Sequence, residues 1–463
     1  LKVYIGGIET VPNNVRLANV VRARIMASRM LGLLSRYIVQ PAPGVIYSPD
    51  VPSPALCYAR VLLAHLGSRS ALQRTVTGLT ISHWAAQERR PPEIPDILRD
   101  KLLACLNECF YYDEIAGSFT RLLHESRDYI ATLKHYKLCL PIEVENSSVV
   151  ISLDQITTLA AKPVSSMQVI GANGTPSPNK LKPKLVTELE ERRRALEIGV
   201  RNTTSQQIAL NTMAMAALAG AATMLRILPE PPSPLNPLIK PLMESVKREE
   251  NEELQKLAAQ YLAHLVDFCA EREPSPNNKI ITNLCTFLCS DTEFTPRVGD
   301  KDLEPFDGIL TMNNRHREAE RETYNRGSGA GGVGGGRGPG RPPATDIPLE
   351  EILACEEPEA KASRTRRRGA TFALTSIASV FWDTLQKRLP KLWEIMVLNN
   401  LPQEKKEAVE VKTQEVIREE VNNLIFGLQV LEVVAPSLEK SLLPQVLACL
   451  PRLCELLGHQ YKG

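Results

Sequence analysis

Two adjacent segments with helical periodicity most constrain the fold of this chain. In residues 235–250 (LNPLIKPLMESVKREE) and 254–272 (LQKLAAQYLAHLVDFCAER), apolar residues recur three and four positions apart. This spacing places them on one face of an α-helix, and a polar turn around Asn251 joins the two helices. One helical pair of this size buries too little apolar surface to be stable alone. The pattern therefore predicts an array of stacked pairs.

Further helical segments follow this pair. Apolar residues recur at helical spacing in residues 277–290, 369–389, 389–397, 416–438 and 441–459. Proline also recurs early in the first helix of a pair, at Pro241, Pro390 and Pro444. Helix–turn–helix units of this kind favour HEAT-type repeats. We therefore expect an all-α fold, an α-solenoid of HEAT/armadillo-like helical repeats.

The N-terminal half is also predicted to be helical, but less regularly. Its candidate helices cover residues 15–38, 54–66, 70–88, 95–110 and 113–136, with a charged helix at 185–200. The predicted organisation has five parts, which are an irregular helical domain (1–162), a loop (163–184), helical repeats including the pair at 235–270 (185–298), a disordered Gly/Arg-rich insert (299–364) and HEAT-like repeats (365–463).

Composition limits the class of protein. With 43% hydrophobic and 23% charged residues, the chain has the make-up of a foldable soluble protein. Its 55 basic and 53 acidic residues nearly cancel, so any contact with nucleic acid or membrane requires a local patch. Ten scattered cysteines in 463 residues suit reduced thiols in cytosol or nucleus. The first residue is not Met, and we expect both ends to be cuts through a longer protein.

One segment, residues 209–225, is apolar enough to raise the question of a membrane span. It is shorter than the roughly 20 residues that a span needs. It is also rich in Ala and Gly, which allow helices to approach closely. We therefore interpret it as a buried helix with close-packed neighbours and expect no membrane partner.

A glycine-rich run contains GAGGVG from Gly329 to Gly334, a match to the dinucleotide fingerprint G-x-G-x-x-G. That fingerprint requires an apolar strand before it and a helix after it. Here the preceding residues are polar and the following ones are rich in proline. We interpret the run as a flexible tether that interrupts one repeat. An alternative is a weak Arg/Gly contact with nucleic acid through Arg326, Arg337 and Arg341.

No catalytic, cofactor-binding or metal site is predicted. Cys105 and Cys109, and likewise Cys285 and Cys289, are spaced four residues apart, but neither pair has the further ligands that zinc needs. We interpret these as packing thiols. The seven histidines are dispersed and lie in no recognisable catalytic motif.

One basic run is not balanced by neighbouring acids. It is RTRRRG, from Arg364 to Gly369, beside the predicted insert. Its arginines are candidates for contact with phosphate or with an acidic partner, against the alternative of a solvated linker end or helix start. These candidate interaction residues are Arg364, Arg366, Arg367 and Arg368.

Several long stretches resemble one known family. They are the segment from Leu235 that reads LNPLIKPLMESVKREENEELQKLAAQYLAHL, and residues 276–291 (PNNKIITNLCTFLCSD), 366–377 (RRRGATFALTSI), 389–397 (LPKLWEIMV) and 428–453 (LQVLEVVAPSLEKSLLPQVLACLPRL). They resemble the central region of the TATA-binding-protein-associated factor 172 / modifier-of-transcription family of Swi/Snf-type ATPases. The resemblance is strong over 235–458 and weaker over 1–230.

The resemblance implies a solenoid of HEAT repeats followed by an ATP-driven DNA motor. In the family, the solenoid grips TATA-binding protein, and the motor on flanking DNA pulls that protein off the promoter. This sequence contains no nucleotide-binding loop or acidic ATPase box. ATP and Mg²⁺, and contact with promoter DNA, are therefore expected of the motor and not of these residues. The resemblance implies a nuclear protein, TATA-binding protein as partner and no small-molecule substrate.

Two other functions remain open from the sequence. One is a HEAT-repeat adaptor of another kind, for transport or chromosome organisation. The other is a nucleic-acid binder that acts through the Arg/Gly-rich insert. Whether the chain belongs to this family or is an adaptor of another kind, we expect it to be a non-catalytic scaffold.

Overall fold

The fold is all-α. The computed structural model describes residues 13–87, 92–108, 110–141, 152–170, 176–177, 181–227, 234–291, 294–295, 358–402 and 414–457. Apart from two strands of two residues each, the regular elements in these ranges are helices. The predicted fold class, helical pairs stacked as in HEAT/armadillo repeats, is confirmed.

The first half contains seven α-helices among the residues described. They are α1 (Asn13–Ile38), α2 (Pro54–Leu66), α3 (Ala71–Ala85), α4 (Asp96–Cys105), α5 (Ala116–His135), α6 (Leu153–Ala161) and α7 (Pro183–Met224). Between α6 and α7, strands β1 (Val169–Ile170) and β2 (Pro176–Ser177) pair antiparallel.

The second half contributes nine further α-helices in the described ranges. They are α8 (Asn236–Arg248), α9 (Glu252–Phe268), α10 (Asn277–Leu288), α11 (Pro358–Phe381), α12 (Leu385–Arg388), α13 (Pro390–Met396), α14 (Gln414–Val434), α15 (Leu443–Leu447) and α16 (Leu450–Leu457). Short 3₁₀ turns, such as Trp382–Thr384 and Leu398–Asn400, connect several of them.

The chain divides into two compact units. The first comprises residues 1–27, 82–92 and 219–463, and the second comprises residues 28–81 and 93–218. In the second unit, α2 packs on α4. A core cluster there joins α5, α6 and the first half of α7, with Leu133, Ile156 and Leu159 fully buried. Ser152 and Gln155 form a reciprocal capping box that starts α6, which satisfies two backbone N–H groups.

In the first unit, α8 and α9 form the predicted antiparallel pair, and Asn251 caps α9 by accepting a hydrogen bond from the Leu254 N–H. Helix α11 packs on α8, α9 and α10, and α14 packs on α11 and α13. Each helix presents an apolar face to this core; α9, for example, buries Leu262, Leu265 and Val266. The helices on the two sides of the predicted insert are therefore direct neighbours.

Helix α7 contains both the predicted charged helix at 185–200 and most of the apolar segment at 209–225. Among the described helices, it is the one long and apolar enough to cross a membrane by length and composition. However, 61% of its most apolar window is buried inside the protein, as in the core helix of a soluble protein. A Cβ on Gly78 of α3 would lie 2.7 Å from the Ala217 backbone carbon of α7. The predicted close packing is present.

Several boundaries differ from the sequence expectations. Residues 358–364, which were assigned to the insert, are the first turns of α11, where Glu359 pairs with Arg366. Within the predicted loop 163–184, β1 and β2 pair and α7 begins at Pro183. Pro241 lies inside α8, whereas Pro390 and Pro444 occupy the first turns of α13 and α15. The three prolines are therefore not equivalent.

Candidate functional site

The four candidate arginines lie on the first half of α11, and all are partly buried. Arg366 is paired with Glu359 at 2.6 Å. Arg367 and Arg368 reach across to other helices, and Arg364 also has an interaction within the protein. The alternative of a solvated linker end is therefore excluded, because these residues lie within a helix. The prediction that they contact an external partner stays a prediction.

Arg368 links α11 to the end of α8. Its Nε donates to Oε1 of Gln255 at 2.6 Å, and its Nη2 donates to the backbone carbonyls of Glu249 and Glu250 at 3.1 and 3.0 Å. The last carbonyls of a helix have no partner within it, and the helix dipole makes this end electronegative. A guanidinium donates hydrogen bonds to these carbonyls, and its positive charge is favourable at the electronegative end. Arg368 therefore acts as a C-terminal cap of α8 supplied by another helix.

Arg367 has the same relation to α10. Its Nη1 donates to the carbonyl of Leu288, the last residue of α10, and to Oε1 of Gln429 on α14, both at 3.4 Å. The guanidinium also lies 4.6 Å from the ring centre of Phe294, a cation–π contact. Gln429 in turn donates to the Phe294 carbonyl at 2.5 Å. These contacts hold the chain just after α10 against α11 and α14.

A third arginine caps α9. Arg388 at the end of α12 donates to Oδ1 and to the backbone carbonyl of Asp267, at 2.5 and 3.1 Å. Its guanidinium also lies over the ring of Phe381. The C-terminal ends of α8, α9 and α10 are thus each capped by an arginine from α11 or α12. We call Arg367, Arg368 and Arg388 the capping arginines.

Gly369 allows α11 to approach α8 this closely. A Cβ at this position would lie 1.9 Å from the carbonyl oxygen of Val246 and 2.6 Å from Nε2 of Gln255. Gln255 is fully buried, and its Nε2 donates to the carbonyls of Val246 and Thr365, both at 2.9 Å. Arg368, Gly369 and Gln255 therefore form one contact between α8, α9 and α11, which we call the α11 clamp.

Glu249 is a titratable group at the edge of the α11 clamp. Its half-buried carboxylate accepts a hydrogen bond from the Asn251 N–H at 3.0 Å. Burial raises the pKa of Glu249 to about 7, Glu250 adds to the rise, and Arg368 and the Asn251 N–H oppose it. In the folded state this pKa lies above its unfolded value, so folding favours the protonated carboxyl. The stability that Glu249 contributes at low pH is therefore lost as pH rises through about 7 and the buried group ionises.

We expect Glu249→Gln to stabilise the protein in a pH-dependent way. The amide removes the charge that burial disfavours and retains an acceptor for the Asn251 N–H. The gain in unfolding free energy should grow from near zero at about pH 4 to about 1–3 kcal/mol above about pH 7. Thermal unfolding across this range measures it. Glu432→Gln, which changes an exposed carboxylate on α14, is the control, and equal pH slopes for the two variants would refute the burial effect.

Cys285 and Cys289, the second predicted thiol pair, are both buried free cysteines. Burial raises the pKa of Cys285 to about 12 and that of Cys289 to about 11, so both are neutral thiols at neutral pH. Cys105 is also buried, while Cys109 lies outside the described residues. Within the described ranges no group of three or more His, Cys, Asp or Glu side chains could hold a metal ion.

The thiols should therefore fall into two classes of reactivity, because thiolate and not thiol is the nucleophile. Cys57 and Cys454 are exposed and should be alkylated rapidly by iodoacetamide in the native protein. Cys285 and Cys289 should be alkylated only after denaturation. Peptide mass spectrometry after timed labelling reads out both classes. Fast native labelling of Cys285 would contradict its burial in the α10 core.

A cavity of about 370 Å³ lies beside the end of α9, lined by Arg226, Asp267, Phe268, Glu271 and Arg388. Arg226 follows α7 in the left-handed backbone region, with φ 55°, and its guanidinium stacks 4.7 Å from the Phe268 ring centre. Two arginines and two acids give the lining no excess of charge. The cavity does not select a ligand class.

The second unit contains a buried arginine that no sequence pattern predicts. The side chain of Arg74 on α3 is 1% exposed and pairs with Glu108 at 3.0 Å. Its Nε donates to the Ser68 carbonyl at 2.8 Å, and the guanidinium lies 4.0 Å from the ring centre of Phe110. Burial opposes ionisation of Glu108, but hydrogen bonds from Lys101 and Arg74 lower the pKa of this carboxyl. This ion pair has a structural role.

The glycine-rich run, including Gly329–Gly334, lies outside the described residues, as do Arg326, Arg337 and Arg341. In the part of the chain that is described, the recurring feature is the packing of amphipathic helices through capped ends. Stacked helical pairs of this kind define the class of protein, which is a helical-repeat protein.

Comparison with known proteins then gives the family. The chain belongs to the family described as "Domain of unknown function (DUF3535)", whose model matches residues 1–395. The resemblance to the TATA-binding-protein-associated factors is also confirmed.

Three relatives show the extent of the likeness. Human (Homo sapiens) TATA-binding protein-associated factor 172 is 32% identical over 492 residues, which cover 98% of this chain and 25% of the relative. Arabidopsis thaliana TATA-binding protein-associated factor BTAF1 is 23% identical over 96% of this chain and 20% of its own length. Saccharomyces cerevisiae TATA-binding protein-associated factor MOT1 is 41% identical over 80 residues, 17% of this chain and 4% of that protein. The chain thus spans a quarter or less of these relatives.

Proposed function

We propose that this chain is the non-catalytic central scaffold of a TATA-binding-protein-associated transcription regulator. In this role the stacked helices hold a part that binds TATA-binding protein at a fixed distance from an ATP-driven motor. The names of the relatives support association with TATA-binding protein. Removal of that protein from promoter DNA, ATP and Mg²⁺ use by a motor, and a nuclear location are implied by the family resemblance.

The observation that carries the proposal is the α11 clamp. Arg368 and Gln255 are 113 residues apart in sequence, yet their side chains are bonded at 2.6 Å. The capping arginines thereby fasten the helices that precede the glycine-rich run to those that follow it. Helices fastened in this way should move together as one stiff body, because closely packed interiors have low compressibility. A scaffold needs this property more than it needs a reactive group.

An ATPase assay on this chain tests the non-catalytic part of the proposal. We expect phosphate release with Mg-ATP to equal that of a buffer blank, with or without double-stranded DNA. Turnover above the blank that co-purifies with the chain and scales with its concentration would overturn the proposal.

A binding assay separates the scaffold from the nucleic-acid binder. Fluorescence anisotropy with a labelled single-stranded RNA compares the whole chain with a variant that lacks residues 326–343. A scaffold should bind weakly, and the deletion should change little. Tight binding that falls steeply with salt and disappears with the deletion would instead favour the Arg/Gly reading.

A further inference from the structure

The exposed side of α1 carries large apolar side chains. On its second half, Met30 is 58% exposed, Leu34 is 49% exposed and Tyr37 is 66% exposed. Leu31 and Ile38 are exposed beside them. Positions 30, 34 and 37 are four and three residues apart, so these side chains lie in one row along the helix. We call these five residues the α1 stripe.

The opposite side of α1 carries small residues. Ser28, Gly32 and Ser35 are buried, again at spacings of four and three. Ser35 Oγ donates to the carbonyl of Leu31 at 2.8 Å and is hydrogen-bonded to the hydroxyl of Tyr58 on α2 at 2.7 Å. A helix that needed only to pack on its own protein would turn its large apolar side chains inward. In α1 the side with the small residues packs inward, and the stripe is uncovered among the residues described.

The charge of α1 indicates what covers the stripe. The helix contains five arginines and no aspartate or glutamate, although the whole chain is nearly neutral. Arg29 and Arg36 are exposed and seven residues apart, so they form a row along one flank of the stripe. An apolar seam with charges of one sign along its flank is how paired helices choose partners of opposite charge.

We propose that the α1 stripe is the docking site for an acidic amphipathic helix of a partner protein. The partner would place leucine-like side chains on Met30, Leu34 and Tyr37, and carboxylates opposite Arg29 and Arg36. Burial of the stripe supplies the affinity, and the arginine row selects acidic over basic helices. A second copy of this chain is a poor match, because two α1 helices would bring their arginines together.

The test uses the whole 463-residue chain and designed peptides. The probe is a fluorescein-labelled amphipathic peptide of about three heptads, with leucine on the apolar seam and glutamate on both flanks. A matched peptide carries lysine in place of glutamate. We expect the chain to bind the glutamate peptide about tenfold or more tightly than the lysine peptide, and less tightly as salt increases.

Variants identify the surface. Met30→Glu combined with Leu34→Glu should weaken binding of the glutamate peptide about tenfold or more. Ile198→Glu, which changes another exposed apolar residue (54% exposed on α7), should leave it unchanged. Arg29→Glu combined with Arg36→Glu should reverse the preference towards the lysine peptide. Circular dichroism melting checks that each variant is folded.

Other occupants give distinct results. Equal affinity for both peptides, or no effect of the double glutamate variant, would overturn the proposal. Flotation with phosphatidylserine vesicles that depends on the stripe, in the absence of peptide binding, would replace it with a lipid surface. Stripe-dependent dimers in sedimentation velocity would replace it with self-association. The scaffold proposal rests on α8–α11 and would survive each of these outcomes.

Discussion

Gly369→Ala is expected to destabilise the first unit by about 2–3 kcal/mol, the upper part of the range for overpacking a close contact. The new Cβ would lie 1.9 Å from the Val246 carbonyl oxygen, and backbone cannot move aside as a flexible side chain can. Helix α11 would have to separate from α8. That separation would also break the bonds from Arg368 to the end of α8. Denaturant unfolding followed by circular dichroism measures the loss.

The control is the same substitution where there is room. A Cβ on Gly117 in α5 meets nothing within 4 Å, and alanine is the better helix former by about 1 kcal/mol. Gly117→Ala should therefore be neutral or stabilising. If Gly369→Ala also proved stabilising, α11 would not lie as close to α8 as the clamp requires.

Arg74→Met should cost about 1.5–3 kcal/mol, the range for losing a hydrogen bond to a charged group, because Glu108 is 29% exposed and keeps a second cation. The substitution keeps an unbranched apolar stem but leaves Glu108 with Lys101 alone. It also removes the hydrogen bond to the Ser68 carbonyl and the contact with Phe110. Chemical denaturation of the wild type and the variant at neutral pH measures the difference.

Arg121→Met provides the matched comparison. Arg121 also pairs with a glutamate, Glu125 at 2.7 Å, but its side chain is 82% exposed. Surface pairs of this kind contribute little, so the variant should unfold almost as the wild type does. Similar losses of unfolding free energy from the two substitutions would mean that the burial of Arg74 does not strengthen the contribution of its ion pair.

Sequence alone predicted those helices that carry a regular apolar face. The limits of α2 were predicted as 54–66 and observed as Pro54–Leu66, and the pair at 235–270 corresponds to α8 and α9. Periodicity is reliable there because one face of each helix is buried. Helix α6 was not predicted, although its capping box, Ser152 to Gln155, is visible in the sequence as a start signal.

The sequence does not reveal that the capping arginines bond to the ends of other helices. Arg364 to Arg368 were predicted as an uncompensated run, because no acid lies beside them in sequence. Their acceptors are backbone carbonyls at helix ends far along the chain, such as those of Glu249 and Leu288. Carbonyl groups belong to every residue and leave no compositional signal. The small residues after the run, from Gly369, were the available hint of a close helix contact.

Buried Arg74 illustrates the same limit. In sequence it is a single arginine in a helix of mixed character, and its partner Glu108 is 34 residues away. Only the fold shows that the two meet and that the arginine is buried there. The α1 stripe is a different case, since helical periodicity finds an apolar face but does not say whether that face points inward.

The most direct test of the scaffold proposal is a coupling measurement in the longer regulator of which we propose this chain to be a segment. Arg368→Ala would loosen the α11 clamp without touching a motor. Two rates are measured, ATP hydrolysis and release of TATA-binding protein from promoter DNA. The scaffold account predicts unchanged hydrolysis and about tenfold or more slower release, while Arg121→Met changes neither rate. Unchanged release, in a variant shown by unfolding to have a weakened clamp, would contradict it.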